Sequence, residues 1–288
     1  MSTKVMKAVL LTAAVVWRPA ALNAMTIRLG WLPEGRMRYE AFSVNPNRRP
    51  DYLNSEMSKS FFWEALWRHP AYPEFGIDLR AVQFGRTLAL ERVGNYQSAP
   101  MRISVQAWQL VAERDLASGP NGFLAGMAGM GVVTNQFERS RHILINGVDV
   151  SSEVGLDPSG TQRSGIRVSI ENFALPLGAR WQQFWSPSMY TETVLNYSFL
   201  MDLTDVFSGS SPFSGWASQA RVMLGWKLGS SWEVFGGGIG YVNHMAAPTG
   251  QGGLRLRGGP QAPEGIYVLW QENEVRMSAA FLGVGFSF

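Results

Sequence analysis

The feature that most constrains this chain is a period-two alternation of apolar and polar residues, sustained over segments too long for ordinary strands. Ala220, Val222, Leu224, Trp226 and Leu228 alternate with Gln219, Arg221, Met223, Gly225 and Lys227. Leu195, Tyr197, Phe199, Met201 and Leu203 alternate with Asn196, Ser198, Leu200 and Asp202, and Ile166, Val168 and Ile170 with Arg167, Ser169 and Glu171. A helix would scatter each apolar set around its axis, whereas a strand lays it on one face. The spacing predicts strands near residues 76–93, 101–117, 123–145, 165–185, 190–207, 217–229, 232–245 and 266–288. Many exceed the usual five or six residues of a globular strand. They suit a tilted strand that crosses a bilayer in about 9–11 residues and continues beyond it.

The separators carry turn chemistry: Gly94-Asn95, Ser118-Gly119-Pro120-Asn121-Gly122, Ser186-Pro187 and Gly229-Ser230-Ser231. Their lengths sort. The connections at 118–122, 186–189 and 230–231 are short; those at 146–164, 208–215 and 246–264 are longer. Short turns at one end and long loops at the other are the arrangement of an outer-membrane barrel. Charged residues make up only 16% of the 288, against about 25% in a typical soluble domain.

The last strand is the most specific element. Ala280, Leu282, Val284, Phe286 and the terminal Phe288 occupy every second position, with Gly283, Gly285 and Ser287 between them. This resembles the terminal strand of Gram-negative outer-membrane β-barrel proteins. The resemblance implies that these five residues form an assembly signal read by the barrel-assembly machinery, and that outer-membrane lipids surround the chain. It carries no active site with it.

The first 24 residues read as a secretory signal: Lys4 and Lys7, then an apolar run from Ala8 to Trp17, then small residues ending at Ala24. The formal charge of +3 comes from Lys4, Lys7 and Arg18 in this segment. The remainder holds 22 basic and 22 acidic residues, which argues against a nucleic-acid partner. The chain has no cysteine, so disulfides and thiolate metal sites are excluded. After residue 24 no apolar run approaches a transmembrane helix.

The expected architecture is therefore all-β: a signal peptide at 1–24, an N-terminal extension at 25–75, and a closed antiparallel transmembrane barrel of about eight strands at 76–288. Within 25–75, Leu32-Pro33-Glu34-Gly35 reads as the turn of a small hairpin and Ser55–Arg68 as a short helix. Three readings stay open there: a packed extension, an interfacial helix carrying Trp63 and Trp67, or a hairpin that makes the barrel ten-stranded.

An eight-stranded bore is only wide enough to be filled by side chains. Arg167, Glu171, Asp202, Arg221, Lys227 and Glu233 are the candidate lumen-lining residues, and paired they would fill it with an ionic network. Gly225, Gly236, Gly238, Gly240, Gly283 and Gly285 are expected to relieve crowding or permit bending. Trp181, Trp185, Tyr190, Trp216 and Trp232 suit interfacial girdles.

His69, His142 and His244 lack metal-ligand spacing. Gly240-Tyr241-Val242-Asn243-His244 looks similar to the active-site strand of outer-membrane phospholipase A. That family has a nucleophilic Ser two positions after the His, where this chain has Ala246. The expectation is a non-enzymatic envelope barrel without metal or cofactor, acting structurally or through its loops at 146–164 and 246–264. A small passive channel is the alternative. A lipid-active enzyme using His142 or His244 is a third reading.

Overall fold

The computed structural model describes residues 25–42, 51–53, 60–90, 96–98, 101–139, 143–145, 148–149, 166–202, 214–246, 255–256, 267–268 and 272–288. The expected signal peptide, His142, the Gly94-Asn95 turn and most of the long connections lie outside them.

Ten strands form the wall. They are β1 (Met25–Phe42), β2 (Phe61–Arg68), β3 (Phe75–Leu90), β4 (Met101–Gly119), β5 (Gly122–Arg139), β6 (Ile166–Phe184), β7 (Met189–Asp202), β8 (Ser214–Leu228), β9 (Trp232–Ala246) and β10 (Glu272–Ser287). Each pairs antiparallel with the next, and β10 returns to β1 in a register running from Thr26↔Ser287 to Phe42↔Glu272. The sheet therefore closes without an edge, the only way a sheet can sit in hydrocarbon with every backbone group paired. A further short strand, Asp51–Leu53, pairs with both β1 and β3 beyond the end of β2.

The eight strands expected from the alternation correspond to β3–β10. The main expectation of eight strands is corrected and its ten-strand alternative holds, because β1 and β2 belong to the wall rather than to an extension. Leu32-Pro33-Glu34-Gly35 is not a hairpin turn. It lies inside one 18-residue strand, at a register shift between Trp31 and Glu34. A bulge there accommodates a proline that has no N–H to donate. The expected helix is also corrected over Phe61–Arg68. Strands β1 and β3 pair with this segment along both sides, which satisfies its backbone. Phe62 and Glu64 then point inward at 2% and 0% exposure.

Short connections gather at one end: His69–Glu74, Pro120–Asn121, Trp185–Ser188 and Gly229–Ser231. Met25 and Phe288 lie there too, with the Phe288 N–H donating to the Met25 carbonyl at 3.0 Å. His69 Nδ1 accepts from the Ala71 and Tyr72 N–H groups at 3.1 and 3.0 Å. Ser186 Oγ accepts from Met189 N–H at 3.0 Å. Gly229 adopts φ +83°, which favours glycine.

The exterior is apolar and open. On β8, Val222, Leu224, Trp226 and Leu228 are each more than half exposed, while Arg221 and Met223 are buried. Leu29, Trp31, Leu195, Leu282 and Val284 continue this belt around the wall. Trp181, Trp185 and Trp232 are exposed as girdle residues would be, and Trp216 is half-buried. Tyr190 departs from that expectation: it is fully buried and points into the bore.

Towards the long-connection end the polarity inverts. Ile103, Val105, Val133, Ile170, Met245 and Val275 are packed inside, while Arg36, Arg38, Glu171 and Arg276 are exposed outside. The sequence alternation at 166–171 is thus read in the opposite frame: Ile170 is buried and Glu171 exposed. Beyond the apolar belt the outer face is polar, and the apolar set turns inward as in a soluble barrel.

An arginine in the belt should be costly and one above it should not. Leu282→Arg is expected to destabilise protein refolded in lipid vesicles by roughly 2–4 kcal/mol. Gln106→Arg, on the outer face nearer the long-connection end, should change stability by less than about 0.5 kcal/mol. Urea titration of both variants checks this; equal effects would contradict a lipid-facing belt.

Candidate functional site

An ionic lattice spans the bore next to the apolar interior. Inward positions of β1, β2, β3, β4, β6, β7, β8 and β9 supply Arg28, Glu64, Asp78, Glu113, Arg180, Glu192, Arg221 and Glu233, all at most 6% exposed. Glu64 is held by three guanidinium groups, from Arg180 at 2.7 Å, Arg221 at 3.0 Å and Arg28 at 3.1 Å. Glu192 meets the same three at 3.1, 2.9 and 2.9 Å. Arg180 also reaches Asp78 at 2.7 Å and Glu113 at 2.9 Å. Arg28 reaches Glu233 at 2.6 Å. Tyr190 Oη donates to Glu233 Oε2 at 2.6 Å and accepts from Arg28 Nη2 at 3.1 Å.

These bonds join strands on opposite sides of the wall. A planar guanidinium suits this role because its several N–H groups diverge and serve carboxylates on different strands at once. Each ion loses hydration inside the bore, and its neighbours replace that hydration only while the whole set is present. The lattice is thus a cross-brace between strands.

Aromatic rings continue the filling. Phe62 packs edge-on against Phe281 with centroids 5.0 Å apart and lies 5.9 Å from Phe235. The Arg221 guanidinium sits 5.0 Å from the Phe62 ring centre, a cation–π contact that joins the two layers. Further along the bore Phe84 meets Tyr241 at 5.4 Å, and Asn243 Nδ2 donates to Asn135 Oδ1 at 2.8 Å. At the short-turn end Arg68 binds Asp115 at 2.7 Å and Glu113 at 3.3 Å.

Of the six residues expected to line the lumen, Arg221 and Glu233 enter the lattice, bridged through Arg28 and Glu192. Lys227 is exposed at the short-turn end, its Nζ 5.4 Å from the Phe184 ring centre. Glu171 faces outward and is corrected as a lumen residue by the frame inversion described above. The side chains of Arg167 and Asp202 lie outside the described residues. The alternation did contain a signal for the residues missed. Arg28 lies between Ile27 and Leu29, Arg180 between Ala179 and Trp181, and Glu64 between Trp63 and Ala65. A lone charge inside an apolar alternation points away from lipid.

The five terminal positions carry their side chains on the outer face of β10, where Leu282 is 64%, Val284 49% and Phe288 52% exposed. Phe286 packs edge-on against both Trp232 and Phe288 at 4.8 Å. The expected relief of crowding applies to the inward glycines. A Cβ at Gly225 would overlap the Tyr190 ring, one at Gly283 the Phe235 ring, and one at Gly285 the Glu233 carboxylate. Gly238 and Gly240 face outward, where a Cβ meets no atom closer than 3.9 Å, so crowding does not explain them.

His244 also faces outward. It stacks on Trp216 at 5.8 Å, and its Nδ1 lies 3.5 Å from Glu274, which pairs with Arg276. Among the described residues no three His, Asp or Glu side chains are grouped to hold a metal ion.

No protein-family model and no curated protein matches the chain. Among solved structures it is similar to the outer membrane protease OmpT of Escherichia coli, at 10% identity over 93% of this chain and 97% of that one, with a TM-score of 0.56. It also aligns with Ail, the attachment invasion locus protein of Yersinia pestis (10% identity, 92% and 99% covered, TM-score 0.36), and with a Pseudomonas aeruginosa FadL homologue (9%, 92% and 91%, 0.36). The likeness to OmpT is one of fold: this chain has the closed β-barrel fold of Gram-negative outer-membrane proteins.

The lattice should respond steeply to loss of one member. Glu64→Gln removes the charge that three arginines share and is expected to cost about 3–5 kcal/mol in urea unfolding. Asp115→Asn, in a partly exposed pair at the rim, should cost less than about 1 kcal/mol.

Proposed function

We propose that this chain is an integral outer-membrane barrel whose bore is closed by its own side chains. Its role is then structural, or one of surface interaction through the long connections, rather than catalysis or conduction. The observation that carries this reading is the lattice in which Arg180 alone touches Glu64, Asp78, Glu113 and Glu192. Charges buried in the wall's interior and an apolar exterior suit a chain whose outer solvent is lipid. Outer-membrane localisation, export by a signal peptide at 1–24, contact with outer-membrane lipids and recognition of the Phe288 strand by the barrel-assembly machinery belong to the same proposal. No catalytic step is assigned: the proposal treats His244 as an exterior interfacial residue, with Ala246 where a nucleophile would be needed.

A passive channel is the second reading, and the ten-stranded ring favours it, since bore width grows with strand number. Planar-bilayer recording separates the two. The closed-bore reading expects no steady unitary currents from wild-type protein; reproducible steps would overturn it in favour of the channel.

The assembly proposal has its own test. Deleting Phe288 is expected to lower the amount of folded, heat-modifiable barrel in the outer membrane of a Gram-negative host while leaving refolding in detergent intact. Equal loss in both settings would assign the residue to stability alone.

A further inference from the structure

Beside the ionic lattice lies a polar group whose hydrogen bonding is incomplete in a specific way. Arg80 on β3 donates through Nε to Gln109 Oε1 at 2.9 Å, and Asn196 Nδ2 on β7 donates to the same oxygen at 3.0 Å. Gln109 Nε2 donates to Ser198 Oγ at 3.1 Å. These bonds fix the orientation of both amides, because turning either one would set two like groups against each other. Three buried atoms are then left without a hydrogen-bond partner: Arg80 Nη2, Asn196 Oδ1 and Asp78 Oδ1. Arg80 Nη1 does not substitute, since Asp78 Oδ2 and Met127 Sδ both lie 3.9 Å from it. Asp78 Oδ2 is taken by Arg180 at 2.7 Å.

We infer that Arg80, Asn196 and Asp78 form an internal water-binding site in the bore. The unpaired set is one donor and two acceptors. A water molecule accepts from Arg80 Nη2 and donates to Asn196 Oδ1 and Asp78 Oδ1, completing all three with the number of bonds usual for a buried water. A halide or other simple anion only accepts, so it would leave both oxygens unpaired beside a negative charge. A metal cation would be repelled by the Arg80 guanidinium. Arg80, Gln109 and Asn196 retain 6%, 6% and 5% exposure, whereas Glu64, Asp78 and Ser198 have none. The three unpaired atoms themselves are fully buried. The site links the lattice, through Asp78, to the Gln109–Asn196–Ser198 amides. It holds Arg80 in place where no carboxylate lies within direct hydrogen-bonding distance. It goes beyond the closed-bore proposal and does not depend on it: a barrel that conducts would still carry these unpaired atoms.

Crystals of the full-length protein refolded in detergent, at a resolution that shows ordered water, test the site, together with crystals soaked in sodium bromide. The expected result is a density peak within hydrogen-bonding distance of Arg80 Nη2, Asn196 Oδ1 and Asp78 Oδ1, with no bromide anomalous signal there. Asn196→Leu is expected to lose that peak. A bromide signal at the position, no peak with the three side chains placed as here, direct pairing of the three with one another, or a peak unchanged in Asn196→Leu would each overturn the assignment. Should Asn196→Leu fail to refold, the two wild-type crystals decide it.

Discussion

Closure of β10 onto β1 is the condition on which everything else rests. Hydrocarbon offers backbone N–H and C=O groups no partner, so an open sheet edge there would leave a full row of them unpaired. The register from Thr26↔Ser287 to Phe42↔Glu272 removes that edge. It also makes the sheet's two faces inequivalent, since one now encloses a bore and the other surrounds it. Inside and outside therefore become separate solvents, and each strand's alternation distributes side chains between them.

The distribution changes along the axis. Around the apolar belt the interior is ionic and the exterior greasy; towards the long connections the interior is greasy and the exterior polar. The same wall has the polarity of a membrane barrel over one part of its length and that of a soluble barrel over the rest. Ile170 and Glu171 sit on the far side of that change, which is why the frame that holds at Val222 and Leu224 fails for them. The ionic layer is placed where lateral neighbours are apolar, so its charges have only one another to turn to. Glu64 and Glu192 each meet Arg28, Arg180 and Arg221 for that reason.

Packing in the bore is matched by glycine on the wall. Phe62 occupies the space in front of Gly30, Tyr190 that in front of Gly225, and Phe235 that in front of Gly283. Ten strands give a wider ring than eight, and at these positions large inward side chains reach across to bare backbone. The extra strands and the large inward side chains are therefore parts of one packing arrangement. Strand number alone does not decide between a pore and a plug; the residues that face inward do.

By itself the sequence determined the strand class, eight of the ten wall strands, the sorted connections and the outward face of Ala280 to Phe288, because each follows from local periodicity or turn chemistry. It also marked Arg28, Arg180 and Glu64 as isolated charges in apolar alternation, although their roles went unread. Only the tertiary structure decided that Pro33 lies in a bulge and that Phe61–Arg68 is a strand, because both depend on the pairing that neighbouring strands supply. The frame of Glu171 and the partners across the bore were decided there as well. An alternation states which residues share a face, but which solvent that face meets is set by height along the barrel. Which charge meets which is set by the register of ten strands at once, and neither quantity exists until the ring has closed.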